Sequence, residues 1–207
     1  MMLPRDRSEP YRLVAIGASD AVGVGSSDPA RRSWPALLLT RLPAGSVLVN
    51  LGVDGSRTEQ ARGEQLPGAL AAEPSLVTIW LAVNDLADGT DPLSYQRSLA
   101  GIVEPLATRT RAAIFIGNVP DIRAVPAFAE RDQTSLLALV IAYNDAIVEL
   151  ASRHAGRATV VDLFTGSAPL MTTAGVSADG FHPSDRGYEL IAERFARTMR
   201  VAGVAIR

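Results

Sequence analysis

The chain contains no cysteine and no lysine. Without thiols there is no disulfide framework and no cysteine nucleophile. Without lysine there is no Schiff-base chemistry, no Ser-Lys pair and no lysine-bearing phosphate loop. All twenty basic residues are arginine, and the only histidines are His154 and His182. Two histidines make no zinc cluster, so neither a metal nor a cofactor is expected. A net charge of −2 argues against nucleic acid as a partner. The first ten residues are polar and charged, with no apolar h-region, which predicts a cytoplasmic protein. No run reads as long enough to span a membrane, so no stable insertion is expected.

What is present is enough for one domain with a full core: 207 residues, 47% of them hydrophobic. Residues 1–10 read as a flexible arm and residues 11–207 as the domain. Tyr11 to Ile16 is a short apolar strand that runs into a Gly-, Ser- and Asp-rich loop, Gly17 to Ser33. Ser33 is placed to cap a helix through Leu37-Leu38-Leu39. Val47 to Asn50 reads as strand two, followed by a glycine turn and a polar helix to about Glu64. Leu76 to Ala82 is a continuous apolar run, as expected of a parallel strand covered on both faces.

Tyr95, Leu99, Ile102, Val103 and Leu106 fall at helical spacing, with a kink or end expected at Pro105. Ala112 to Ile116 is strand four. Leu136, Val140, Tyr143, Ile147 and Leu150 mark the clearest helix, and Val160-Val161 centres strand five. Tyr188, Ile191, Ala192, Phe195 and Met199 mark the last helix. Strands alternating with helices predict a three-layer α/β/α fold. Its five-stranded parallel sheet should have the flavodoxin-like order 2-1-3-4-5. In that order, the loops after strands one and three flank one crevice.

Ser19 follows strand one and Asn84 follows strand three. Near the far end, Asp179-Gly180-Phe181-His182-Pro183 supplies an acid and a base three residues apart. Four segments are then in order along the chain: Gly17-Ala18-Ser19, the Gly52 turn, Ala82-Val83-Asn84-Asp85 and Asp179-Gly180-Phe181-His182. Together they resemble the four sequence blocks of the SGNH/GDSL hydrolase family. The resemblance implies a serine esterase with Ser19 as nucleophile, His182 as base and Asp179 as acid. It implies oxyanion donors at the backbone N–H of Ser19, the backbone N–H of Gly52 and the side-chain amide of Asn84.

The chemistry of the residues is consistent with those roles. A serine hydroxyl needs a base to take its proton. His182 is the histidine placed to serve, since His154 sits at a helix end, where a cation suits the dipole. Asp179 can reach back to His182, with Asp162 as the competing partner. Asn84 has a neutral amide able to point an N–H at a forming charge. Asp20 and Asp85 read as loop-bonding residues. The sequence departs from the family pattern twice, with Ala18 where the family usually has Asp and Ala82 where it usually has Gly. The loops 117–130 and 164–181 are expected to wall an acyl pocket with Val119, Ile122, Val125, Phe128, Leu170 and Met171. An acyltransferase using the same residues, or a binding module of the same fold, remains the alternative to hydrolysis of small-molecule esters.

Overall fold

The computed structural model describes residues 9–168, 171 and 174–207. Five parallel strands form one sheet: β1 (Arg12–Gly17), β2 (Val47–Asn50), β3 (Leu76–Trp80), β4 (Ala113–Gly117) and β5 (Ala158–Val161). Their order is β2-β1-β3-β4-β5. Leu13 lies opposite Leu48 on one side and Leu76 on the other, so β1 is paired along both edges.

Alternation along the strands divides the core into two layers. Val14, Ile16, Val77, Ile79, Ile114 and Ile116 face one side. There they meet α4 (Thr58–Glu64), α5 (Leu66–Ala71), α7 (Pro92–Arg109) and α8 (Gln133–Arg153). Leu13, Ala15, Phe115 and Val161 face the other side, under α3 (Trp34–Leu39) and α9 (Asp185–Val201). In this second layer Trp34 is fully buried. It stacks on Phe195 at 4.5 Å and meets Trp80 edge-on at 6.4 Å. The architecture is therefore the three-layer α/β/α arrangement with a doubly wound parallel sheet.

Several local expectations need correction. The loop after β1 holds two four-residue helices, α1 (Ser19–Val22) and α2 (Pro29–Arg32). Their few residues are too short to show a period. Ser33 sits at the start of α3, but its side chain makes no capping bond. Of the two outcomes expected at Pro105, an end is not the one seen: helix α7 continues to Arg109. Ile102, Val103 and Leu106 are fully buried around the proline, and this packing outweighs the lost backbone bond. Strand β3 stops at Trp80, because α6 (Val83–Ala87) begins three residues later. The expectation about membrane-length runs also needs correction. Helix α8 is long and apolar enough to cross one by length and composition. It lies instead on the sheet, with Leu136, Val140, Tyr143, Ile147 and Leu150 buried in the core.

Truncating Trp34→Ala should lower the unfolding free energy by about 3–5 kcal/mol, the usual cost of removing a large aromatic from a packed core. Urea denaturation followed by far-UV circular dichroism measures this. A loss below about 1 kcal/mol would show that the α3–α9 layer is not a tight packing unit.

Candidate active site

Strand β1 ends at Gly17, and Ser19 is the first residue of α1, so its N–H has no intrahelical partner. The side chain of Asp20 holds this turn. Its Oδ1 accepts the N–H groups of Ala18 at 3.2 Å and Ala21 at 2.7 Å. An acid after the serine thus anchors the loop, in a chain where Ala18 precedes it. Burial pushes the Asp20 carboxyl up to about 7, against the opposing pull of its backbone hydrogen bonds and of His182.

The opposite wall comes from the segment before α9. Ser184 caps that helix by accepting from Gly187 N–H. A one-bridge pairing of Val176 with Pro183 closes the loop, and Ser177 N–H donates to the carbonyl of His182. Inside the loop, Asp179 Oδ1 accepts from the Ser177 hydroxyl and from the N–H groups of Phe181 and His182. Its Oδ2 lies 2.7 Å from His182 Nδ1, and His182 Nε2 lies 3.0 Å from Ser19 Oγ. Partial burial works against the charge on Asp179. The hydrogen bonds from His182, Phe181 and Ser177 outweigh it and hold the carboxyl well below the usual carboxylate range. The competing acid, Asp162, is engaged elsewhere: its Oδ1 accepts from Phe164 N–H, Thr165 N–H and the Asn118 amide.

Asn84 sits in α6 and lines the same cavity as Ser19 and His182. One amide hydrogen is given to the carbonyl of Ser56 at 3.0 Å, which leaves the second for a ligand. Its neighbour Asp85 faces away and accepts from Thr58 N–H and hydroxyl, tying α4 to α6.

Gly52 is placed differently from the expectation. Its N–H donates to Asn50 Oδ1 at 3.1 Å, and it does not line the cavity. The reason is an Asx turn, in which Asn50 binds the backbone two residues on; the Asn-x-Gly spacing was the available signal. In the same turn, Asp54 and Gly55 keep free N–H groups among the described residues.

The cavity is small, about 70 Å³, and largely apolar. Ile122, Val125, Phe128 and Met171 line it. Val119 does not: it is fully buried in the core, and its backbone is clamped by the Asn144 side chain at 2.8 and 3.0 Å. Leu170 lies outside the described residues. Trp80, Pro120 and Phe181 also line the cavity and were not foreseen. Phe181 lies edge-on to the His182 ring at 4.9 Å and tilted on Phe128 at 5.9 Å, joining the two loops. Ala82, also on the wall, has φ of 124° and is nearly fully buried. A side chain in that region carries strain of about 1–3 kcal/mol.

The layers, the sheet order and the cavity at the carboxyl ends of β1 and β3 define a doubly wound α/β/α protein with a serine, a histidine and an aspartate in line at its crevice. The chain belongs to the GDSL-like lipase/acylhydrolase family, whose profile matches residues 15–190, and it is an ester hydrolase of that type. No curated protein sequence matches it. Among solved structures it is similar in fold to TesA, with 22% identity, 92% of this chain and 99% of that chain covered, and a TM-score of 0.74. It is also similar to a variant of Axe2, an acetyl-xylooligosaccharide esterase from Geobacillus stearmophilus. There the identity is 18%, the coverage 94% and 96%, and the TM-score 0.73. A third is the psychrotrophic esterase EstA from Pseudoalteromonas sp., inhibited by monoethylphosphonate, with 16% identity, 92% and 97% coverage and a TM-score of 0.68. At these identities the likeness is one of fold.

Two outcomes follow from this geometry. A Cβ on Gly25, where φ is 89°, would sit 2.8 Å from the Pro183 carbonyl and 2.9 Å from His182 Cβ. Gly25→Ala should therefore displace the histidine and lower kcat by about 10²-fold, the cost of roughly 1 Å of misplacement. Steady-state kinetics on an activated acetyl ester checks it, and activity near wild type would show that the loop yields freely.

The second outcome concerns Asp20. Because its folded-state pKa is raised, its contribution to stability is complete below the ordinary carboxylate value and is lost as pH rises through about 7. Asp20→Asn keeps the acceptor oxygen without the charge. Its Tm relative to wild type should therefore be higher at about pH 8 than at about pH 5. Equal differences at the two pH values would remove Asp20 as the titrating group.

Proposed function

We propose that this protein hydrolyses carboxylic esters of short acyl groups through an acyl-enzyme formed on Ser19. The observation that carries the reading is the continuous hydrogen-bonded line from Ser19 Oγ through His182 to Asp179, with steps of 3.0 and 2.7 Å. In the proposed reaction Ser19 Oγ attacks the ester carbonyl while His182 Nε2 takes its proton. The ionised Asp179 holds the Nδ1–H tautomer and stabilises the imidazolium that forms. The oxyanion is received by the Ser19 N–H and by the free amide hydrogen of Asn84, both preorganised by their own backbone or side-chain bonds. The imidazolium then protonates the leaving alcohol. A water, deprotonated by His182, releases the acid and restores the serine.

The acyl preference rests on the cavity. Its wall is apolar, so an acyl chain is accepted, but its volume of about 70 Å³ is soon filled. Each buried CH₂ adds about 0.8 kcal/mol only while there is room for it. The fold similarity to an esterase of acetylated xylooligosaccharides is in keeping with a short acyl group.

Two measurements test the proposal. A fluorophosphonate should label Ser19 and no other serine, with an adduct absent from Ser19→Ala; peptide mapping that found it on Ser26, Ser27 or Ser56 would reject the nucleophile. Along a p-nitrophenyl ester series, kcat/KM should peak between acetyl and butyryl. A value still climbing at dodecanoyl would show an open groove and reject the short-acyl reading, while leaving the nucleophile assignment standing.

A further inference from the structure

Gln65 is 2% exposed and sits at the joint between α4 and α5, away from the wall of the cavity. Its amide is nonetheless fully committed. Oε1 accepts the N–H of Gly17 at 3.1 Å. Nε2 donates to the carbonyl of the same Gly17 at 3.0 Å and to the Ser56 hydroxyl at 3.2 Å. Gly17 is the last residue of β1, two positions before Ser19. Ser56 in turn offers its carbonyl to the Asn84 amide. One buried side chain therefore connects the serine turn to the asparagine that follows β3.

We propose that Gln65 is a positioning residue for the oxyanion site: through Gly17 it orients the Ser19 N–H, and through Ser56 it orients the Asn84 amide. The proposal rests on the oxyanion assignment above. The residue type suits the task. A neutral amide both accepts and donates, so it can hold the two polar groups of Gly17 at once. A carboxylate would lose the donations. An apolar side chain would take from the Gly17 N–H its partner in Gln65 and strip one bond each from the Gly17 carbonyl and the Ser56 hydroxyl, which keep Val53 N–H and the Arg57 carbonyl. The effect should reach the chemistry because oxyanion donors act only at about 2.7–3.1 Å from the charge they stabilise. The two donors come from different segments of the chain, and the Gln65 side chain joins the residues behind both, alongside the Val53 backbone, which donates to the Gly17 carbonyl and accepts from the Ser56 N–H.

The test is a double-mutant cycle of Gln65→Leu with Asn84→Ala, in variants shown to be folded by circular dichroism. Gln65→Leu alone should lower kcat about 10- to 100-fold with KM changed less than about threefold. It should weaken binding of a trifluoromethyl ketone transition-state analogue by the same factor. Added to Asn84→Ala, it should cost much less than it does alone, because half of what it positions is already gone. Equal losses in the two backgrounds, or a folded Gln65→Leu enzyme with wild-type kcat, would overturn the proposal. Asn84→Ala with wild-type kcat would reject the oxyanion assignment, and this proposal with it. If Gln65→Leu does not fold, Ser56→Ala removes one arm of the network and runs the same cycle, with the same outcomes deciding.

Discussion

Parallel pairing of β1 along both of its edges is the constraint from which the site follows. The strand is held between β2 and β3, so the chain must leave its carboxyl end at the point where the order of winding reverses. The turn carrying Ser19 therefore opens beside the segment after β3, and Asn84 is brought across from it. His182, the proposed base, arrives from elsewhere. It is 163 positions along the chain from the serine it touches, and the long α9 packed under the sheet holds its loop in place. The sheet positions one half of the chemistry and a helix of the opposite layer positions the other.

The polar groups at this edge are arranged in pairs with distinct duties. Asp179 is stabilised as an anion by three hydrogen bonds besides that of the histidine ring, whereas burial pushes the carboxyl of Asp20, one residue from the serine, up to about 7. Two carboxyl groups close to the serine and the histidine thus titrate in different ranges. Asp85 and Gln65 face away from the cavity. They bind the β2–α4 segment from two sides, at Thr58 and at Ser56. Glycine matters most where these parts touch: Gly25 lets its loop lie against His182.

Much of this was legible in the residues, for physical reasons. Buried parallel strands are continuous apolar runs, and α7, α8 and α9 show their core faces as a 3.6-residue period, so the sheet order and the long helices could be read directly. Ser19, Asn84, Asp179 and His182 stood out as a set, because the four segments that include them resemble, in order, the blocks of one hydrolase family. Short elements were hidden: α1 has four residues, and α5 contains Pro67 and Gly68, which read as breakers. Long-range hydrogen bonding was also hidden. Nothing near Val119 in sequence announces that Asn144 will pull its backbone into the core, and Gly52 looked like a donor until Asn50 was seen to occupy it. Gln65 went unnoticed for the same reason, since its partners are nine and 48 residues away.

Ala82 joins two properties that most proteins keep at separate positions. Its methyl group narrows the cavity, and the same methyl makes the backbone at φ 124° costly. Every alanine codon is a single base change from a glycine codon, so one readily accessible mutation at this position would relax the backbone and widen the chamber together. Here substrate range and heat tolerance are not in opposition, as they often are near active sites. A glycine selected at this position for thermal endurance alone would widen the chamber as well, without that having been asked for.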